Sequence, residues 1–391
     1  MNQYLDNKFG KKLRGVNLGG WLVLEKWITP SLFAGLQARD ETSYCVELGA
    51  NAEPALKNHW NTFITAEDFS WLAKTGINAI RIPVGHWLFG QGYPYHPTYG
   101  ASLHPFVEGG IDILDCAFDW AEQYGLHIVL DLHAAPGCQN GFDNGGIQDV
   151  CEWHTKEEYI DYSLHMLERL AERYQNRPAL HSIEVLNEPH WDVDTTLLKK
   201  YTTEAYHRIR KYCSAKDVAI VYHDGFRSFR EYTGFLAEPE FNSVVLDIHR
   251  YQCFIPADID SDIYEHIRIA AVDWKNEADD IISDGHSTYI GEWSLGLDLK
   301  FVSLWSKGAF NSAQQDMDAF QMSMAYRAYA AAQLITFEKY IGWFFWTYKT
   351  ETTPAWCFRE CVNRGWLPDR FDNNSIDISH FRKSAGPESE V

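Results

Sequence analysis

A chain of 391 residues with 46% hydrophobic and 23% charged side chains has an ordinary globular composition and the length to bury a substantial core. Its formal charge of −20 argues against polyanionic partners, so neither nucleic acid nor an anionic membrane surface is expected. No stretch has the length of a membrane span or a signal peptide, and the expectation is a cytosolic chain, or a secreted one if a signal was removed.

Short β-rich runs recur along the chain: "RGVNLG" (14–19), "INAIRIPV" (77–84), "HIVLDLH" (127–133), "SIEVLNE" (182–188), "VAIVYHD" (218–224), "VVLDIHRY" (244–251), "TYIGEW" (288–293) and "GWFFWTY" (342–348). Most are continuous Val/Ile/Leu runs, as parallel strands covered on both faces require. Between them lie helical patterns. "TAEDFSWLAKTG" starts at Thr65 as N-cap with Asp68 three residues on and stops at Gly76; others span 156–175 and 317–340. Strand and helix alternating eight times predict one (β/α)8 TIM barrel over 1–391, with a short C-terminal tail from about 371. The eight cysteines form no CxxC pair; Cys138 and Cys151 flank one loop, and their pairing is left open.

In this fold the active site gathers at the C-terminal ends of the strands. Those ends carry Arg81, His133, Asn187, Glu188, His249, Tyr251, Glu292 and Trp346. Glu188 and Glu292, on the fourth and seventh strands, would face each other across the mouth. Paired carboxyl groups with different protonation suit glycoside hydrolysis, one as acid and the other as nucleophile. Pro189 is expected to hold Glu188 extended. Arg81 beside a carboxylate would favour its charged form. Aromatic residues, 15% of the chain, also suit stacking on sugar faces.

The motifs "IRIPV", "DLHAAPGCQNGFDN", "LNEP", "DIHRYQ", "GEW" and "FFWTYKTE" resemble those of glycoside hydrolase family 5, in the retaining clan A. The opening "RGVNLGGWLVLEKWITPSLF" resembles its exo-β-1,3-glucanase branch, and the likeness covers roughly residues 12–370. The resemblance implies that Glu188 is the general acid/base and Glu292 the nucleophile. It implies that Arg81 and Tyr251 support the nucleophile, that His133 and Asn187 contact the sugar, and that His249 lies beside the acid. Trp346 would be the platform under that sugar, Glu25 a polar contact to its hydroxyls, and Phe142 and Phe254 a clamp on the next unit. The implied partner is a β-glucan or β-glucoside, with no cofactor and no metal. The chain departs from the branch after Glu292, where "SLGLDLKFVSLWSKGAFNSAQQ" is short and lacks the cysteine-bearing loop of the fungal enzymes.

Three other readings remain in view. Asp131-x-His133 and Asp247-x-His249 place ligand types on inward strand positions, as a metal-dependent barrel hydrolase would. A carbohydrate-binding barrel without activity would use the aromatics alone. An endo-acting β-1,4-glucanase or mannanase of the same family would keep both glutamates. Linkage preference, natural substrate and oligomeric state stay open.

Overall fold

The computed structural model describes residues 12–89, 106–107, 109–259, 261–297 and 319–372. The predicted tail, apart from its first residues, and most of the shortened segment after Glu292 lie outside these. Among the described residues, eight parallel strands close into one barrel in sequence order. They are β1 (Leu13–Asn17), β2 (Ala79–Gly85), β3 (His127–Ala134), β4 (Leu180–Glu184), β5 (Ala219–His223), β6 (Val244–Arg250), β7 (Thr288–Trp293) and β8 (Gly342–Phe345). No helix among the described residues is long and apolar enough to cross a membrane.

The pleat explains why the runs are apolar throughout. Alternate residues point to opposite faces. Ile80, Ile82, Ile128, Leu130, Ile183, Ile220, Leu246, Ile248 and Ile290 join the large outer core with helix residues such as Phe69, Leu114, Phe118, Leu167, Leu198 and Ile209. Each such side chain contributes roughly 1.5–3 kcal/mol on full burial. Their neighbours Ala79, Val129, Ala219, Val221, Val245 and Phe344 form a separate cluster with Leu13 and Tyr289. That cluster fills the lower barrel.

The helix over Ala66–Lys74 begins as its sequence predicts. Thr65 and Asp68 form a reciprocal capping box, with Thr65 N donating to Asp68 Oδ2 at 2.9 Å. The predicted 156–175 and 317–340 helices run Glu157–Tyr174 and, as described, Ala319–Phe337. The alternation fails between β5 and β6, where a 3-10 turn, Phe229–Tyr232, stands in place of an α-helix. That connection contains Gly225, Gly234 and Pro239, and Phe226, Leu236 and Ser243 also take positive φ, so a continuous helix cannot form there. All eight cysteines are free thiols, Cys138 and Cys151 included.

Candidate active site

The strand period places the site's foundations before its chemistry. Two residues above Val129 on β3 stands Asp131; two above Val245 on β6 stands Asp247. These, with Glu184 of β4, surround Arg81 of β2. Arg81 Nε donates to Glu184 Oε2 at 2.7 Å, and Nη2 lies 3.1 Å from Asp131 Oδ2. Arg81 Nη1 donates to Asn17 Oδ1 and to Glu292 Oε1, both at 3.0 Å, while Nη2 reaches Asn187 Oδ1 at 2.8 Å. The guanidinium is only 1% exposed. One cation cannot keep so many buried carboxylates ionised. Burial first, then the charges of Asp247 and Asp131, push Glu184 well above the usual carboxylate range despite Arg81. Sequence reading missed Glu184 because it sits inside an apolar run.

One layer higher lie the two glutamates. A register shift between Ile248 and His249 sets His249 directly opposite Glu292, skipping Gly291. Such irregularities re-aim side chains next to active sites. Gly291 also admits Asp247: its N–H donates to Asp247 Oδ1 at 2.7 Å, and a Cβ there would overlap that carboxylate. His249 Nδ1 then lies 2.7 Å from Glu188 Oε1 and 3.4 Å from Glu292 Oε2. Both carboxyl groups converge on one nitrogen, so these oxygens are no farther apart than the sum of the two lengths.

Glu188 is not held extended by Pro189, as expected; its φ is +41°. The hydrogen-bonded strand ends at Glu184, and the chain beyond is fixed by other contacts. Asn187 N donates to Leu132 O, and His190 N to Gln139 O, both at 3.0 Å. These turn Glu188 over the mouth in a conformation that costs on the order of 1–3 kcal/mol for a residue with a side chain. Asn144 Nδ2 donates to Glu188 Oε2 at 3.1 Å, and Tyr251 Oη donates to Glu292 Oε2 at 2.7 Å.

The electrostatics of the site are asymmetric. Burial would raise Glu188, but the hydrogen bond and charge of His249, helped by His223 and His133, bring it down to about 2. Burial raises Glu292, and the charge of Glu188 adds to it, against His249 and Arg81. His249 opposes its own burial: the charges of Glu292 and Asp247 and its hydrogen bonds hold it well above the ordinary histidine range. The carboxylates thus favour a charged His249, and His249 in turn favours a charged Glu188.

The remaining predicted residues fall around this centre. His133 Nδ1 lies 2.6 Å from Asp131 Oδ2, and its ring stacks with Trp346 at 5.3 Å and 6°. Gly19 lets Trp346 approach, since a Cβ would meet the indole at 2.8 Å. Glu25 accepts from Trp27 Nε1 at 2.9 Å and is pushed well above the usual range by burial, then by Asp143, Glu292 and Glu188. Glu25 Oε1, His133 Nε2 and Asn187 Nδ2 are buried without a hydrogen-bond partner among the described residues. Phe142 and Phe254 belong to different groups of rings. Phe142 lies 6.4 Å from Trp191, beside Asn144 and hence Glu188; Phe254 packs 5.4 Å from Tyr251 and 6.1 Å from Trp356. Asn17, Asp143, Asn144, His223, Trp191 and Trp356 join the site without having been singled out from sequence. Asp143 and Asn144 were legible in principle, since they complete "QNGFDN".

Among the described residues, two groupings, Glu188–His223–His249 and Glu184–Asp247–His249, each bring three ligand-type atoms together. His249 belongs to both groupings and bonds Glu188 through Nδ1, while Glu184 already accepts from Arg81 Nε at 2.7 Å.

Comparison with known proteins identifies the family. A family model described as cellulase (glycosyl hydrolase family 5) matches residues 45–352. A glucan 1,3-beta-glucosidase of Blumeria graminis is 34% identical, over 94% of this chain and 89% of its own. One of Kluyveromyces lactis is 35% identical, over 93% and 90%. Among solved structures, rutinosidase from Aspergillus niger superposes with a TM-score of 0.73 at 21% identity, over 92% of this chain and 99% of that one. A hyperthermophilic endo-beta-1,4-glucanase does so with 0.53 at 14%, over 91% and 94%. These two share the fold.

Proposed function

We propose that this chain, which belongs to glycoside hydrolase family 5, releases glucose from the non-reducing end of β-1,3-glucans by double displacement with retention. The observation that carries this reading is the convergence of Glu188 and Glu292 on His249 Nδ1 at 2.7 and 3.4 Å. These two oxygens thus lie within about 6 Å of each other, as the roughly 5–5.5 Å between the carboxyl groups of retaining enzymes requires.

In the first step a Glu292 oxygen attacks the anomeric carbon while Glu188 gives its proton to the departing glycosidic oxygen. In the second, Glu188 takes a proton from water, whose oxygen displaces Glu292. Arg81 and Tyr251 each donate to Glu292 and favour its ionised form. The acid's proton comes from His249: transfer from Nδ1 to Glu188 Oε1 spans a 2.7 Å hydrogen bond and leaves the proton count of the trio unchanged. Glucose would lie on Trp346, with its hydroxyls meeting the unpartnered atoms of Glu25, His133 and Asn187. Support for glucose and for the β-1,3 linkage comes from the relatives named glucan 1,3-beta-glucosidase. Support for exo action comes from Glu25, buried after the first strand and bonded by Trp27 Nε1 at 2.9 Å, a pair that would wall off that end of the site.

The test is a product profile on laminari- and cello-oligosaccharides, with the first anomer read by NMR. Single β-glucose from the laminari series is expected. An initial α-anomer would overturn retention, and early mixed longer oligomers would replace exo action by endo action.

A further inference from the structure

An aromatic group on the acid's side is unused by this mechanism. Trp191, three residues beyond Glu188, is 53% exposed, and Phe226, on the loop after β5, is 44% exposed. Trp191 lies 6.4 Å from Phe142 at 46° and 6.3 Å from Phe226 at 68°. Phe226 in turn lies 5.2 Å from His223, whose ring stands 4.3 Å from that of His249. The three rings therefore form one band that continues outward from the mouth. Singly scattered surface aromatics need no explanation, whereas a contiguous band leading from a catalytic acid does.

The band is also held in place. Arg227 Nη2 donates to Trp191 O at 2.7 Å and His190 O at 3.3 Å, and also to Val193 O, while Nη1 donates to Gly225 O at 3.0 Å. One guanidinium thus fastens the turn bearing Trp191 to the loop bearing Phe226. Gly225 makes room, since its φ is +62° and a Cβ would run into that guanidinium. The exposed indole is fixed by its backbone rather than left to fold onto the core.

We propose that Trp191, with Phe226, binds the second sugar of the departing chain, outside the unit held by Phe142 and Phe254, and that this outer site takes a β-1,3-linked glucose. The proposal rests on the functional reading above. The leaving chain must exit on the side of Glu188, which protonates it, and the band begins there. Its rings are turned against one another by 46° and 68°, forming a curved wall. A β-1,3 chain turns at each linkage and can follow such a wall; a flat β-1,4 ribbon meets only one ring face-on.

The experiment compares kcat/KM on laminaribiose, laminaritriose and laminaritetraose for the wild type, Trp191→Ala and Trp191→Phe. With alanine the trimer-to-dimer ratio should fall roughly five- to tenfold, mainly through KM, and phenylalanine should restore part of it. A ratio unchanged by alanine would overturn the outer site. An equal fall on cellotriose over cellobiose would overturn its β-1,3 assignment. Wild-type activity confined to the cello series would instead remove the functional reading itself, whatever Trp191 does.

Discussion

On β3 the inward side chains, from bottom to top, are Val129, Asp131 and His133; on β6 they are Val245, Asp247 and His249. The lowest pair belongs to an apolar cluster, the middle pair surrounds Arg81, and the uppermost pair borders the two glutamates. The bottom layer gains free energy by removing surface from water. The upper layers bury charge, where desolvation offsets much of the Coulomb attraction, so their polarity is not there for stability. One barrel thus separates the two tasks by two-residue steps along the same strands. Substitutions at each level should show the separation.

The largest effect belongs to the top. Glu292→Gly should lower kcat by a factor on the order of 10⁴ or more while leaving thermal stability near the wild type. Azide should restore turnover through the vacated space and give an α-glycosyl azide. Glu188→Ala should spare substrates whose leaving group needs no proton and give a β-glycosyl azide. If the two azide products exchange anomers, the roles of the two glutamates must be exchanged as well.

In the middle layer both properties should fail together. Arg81→Met leaves Glu184, Asp131 and Asp247 without their shared cation and removes a donor from Glu292. A loss of about 3–5 kcal/mol in denaturant unfolding is expected, accompanied by a loss of activity. Arg81→Lys should recover some stability but little activity, because one ammonium cannot reproduce contacts to Glu184, Asn17, Glu292 and Asn187 at once. Full stability in Arg81→Met would mean that the middle layer is not held by this cation.

Much of this layering was legible in the sequence. Eight apolar runs gave the strands, and the polar residues closing them gave Arg81, His133, Glu188, His249 and Glu292, because a buried strand tolerates polarity only where it has work. Glu184 was hidden, since "SIEVLNE" reads as one apolar run. Counting back four residues from Glu188, two strand periods, would have singled it out, and in the ladder it pairs with Asp131. The skipped Gly291, the turned backbone of Glu188 and the 3-10 crossover after β5 depend on contacts between strands far apart in sequence. No local pattern encodes them. Trp191 was invisible for another reason: exposure is a property of the folded surface.

A buried carboxyl group outside this arginine-centred layer sharpens the contrast by its pH response. Burial pushes Glu41 up to about 8 from 4.5, although Leu24 N donates to its Oε2 at 2.8 Å. A folded pKa above the unfolded one contributes stability that is fully present below pH 4.5 and is lost as pH rises through about 8. The wild type should therefore lose on the order of 4 kcal/mol from this group between pH 5 and pH 9. Glu41→Gln, which keeps an oxygen for Leu24, should flatten that part of a melting-temperature profile. An identical slope in the variant would assign the pH dependence to other groups.

The smallest effect, and the one that tests the separation most directly, lies at the bottom. Val129 is fully buried, two residues below Asp131 and four below His133 on the same strand. Val129→Ala removes two methyl groups from a cluster closed on every side by Leu13, Ala79, Val221, Val245 and Phe344, so the cavity cannot fill by collapse. A destabilisation of about 2 kcal/mol is expected, read by denaturant unfolding. Between that cavity and the catalytic residues stand Arg81 and its carboxylates, whose hydrogen bonds are directional and fix their own geometry. They should keep the top in place, leaving kcat and KM on laminari-oligosaccharides within a factor of about two. A clear fall in kcat would show that packing at the floor sets the geometry at the mouth, and that the layers are mechanically coupled rather than separate.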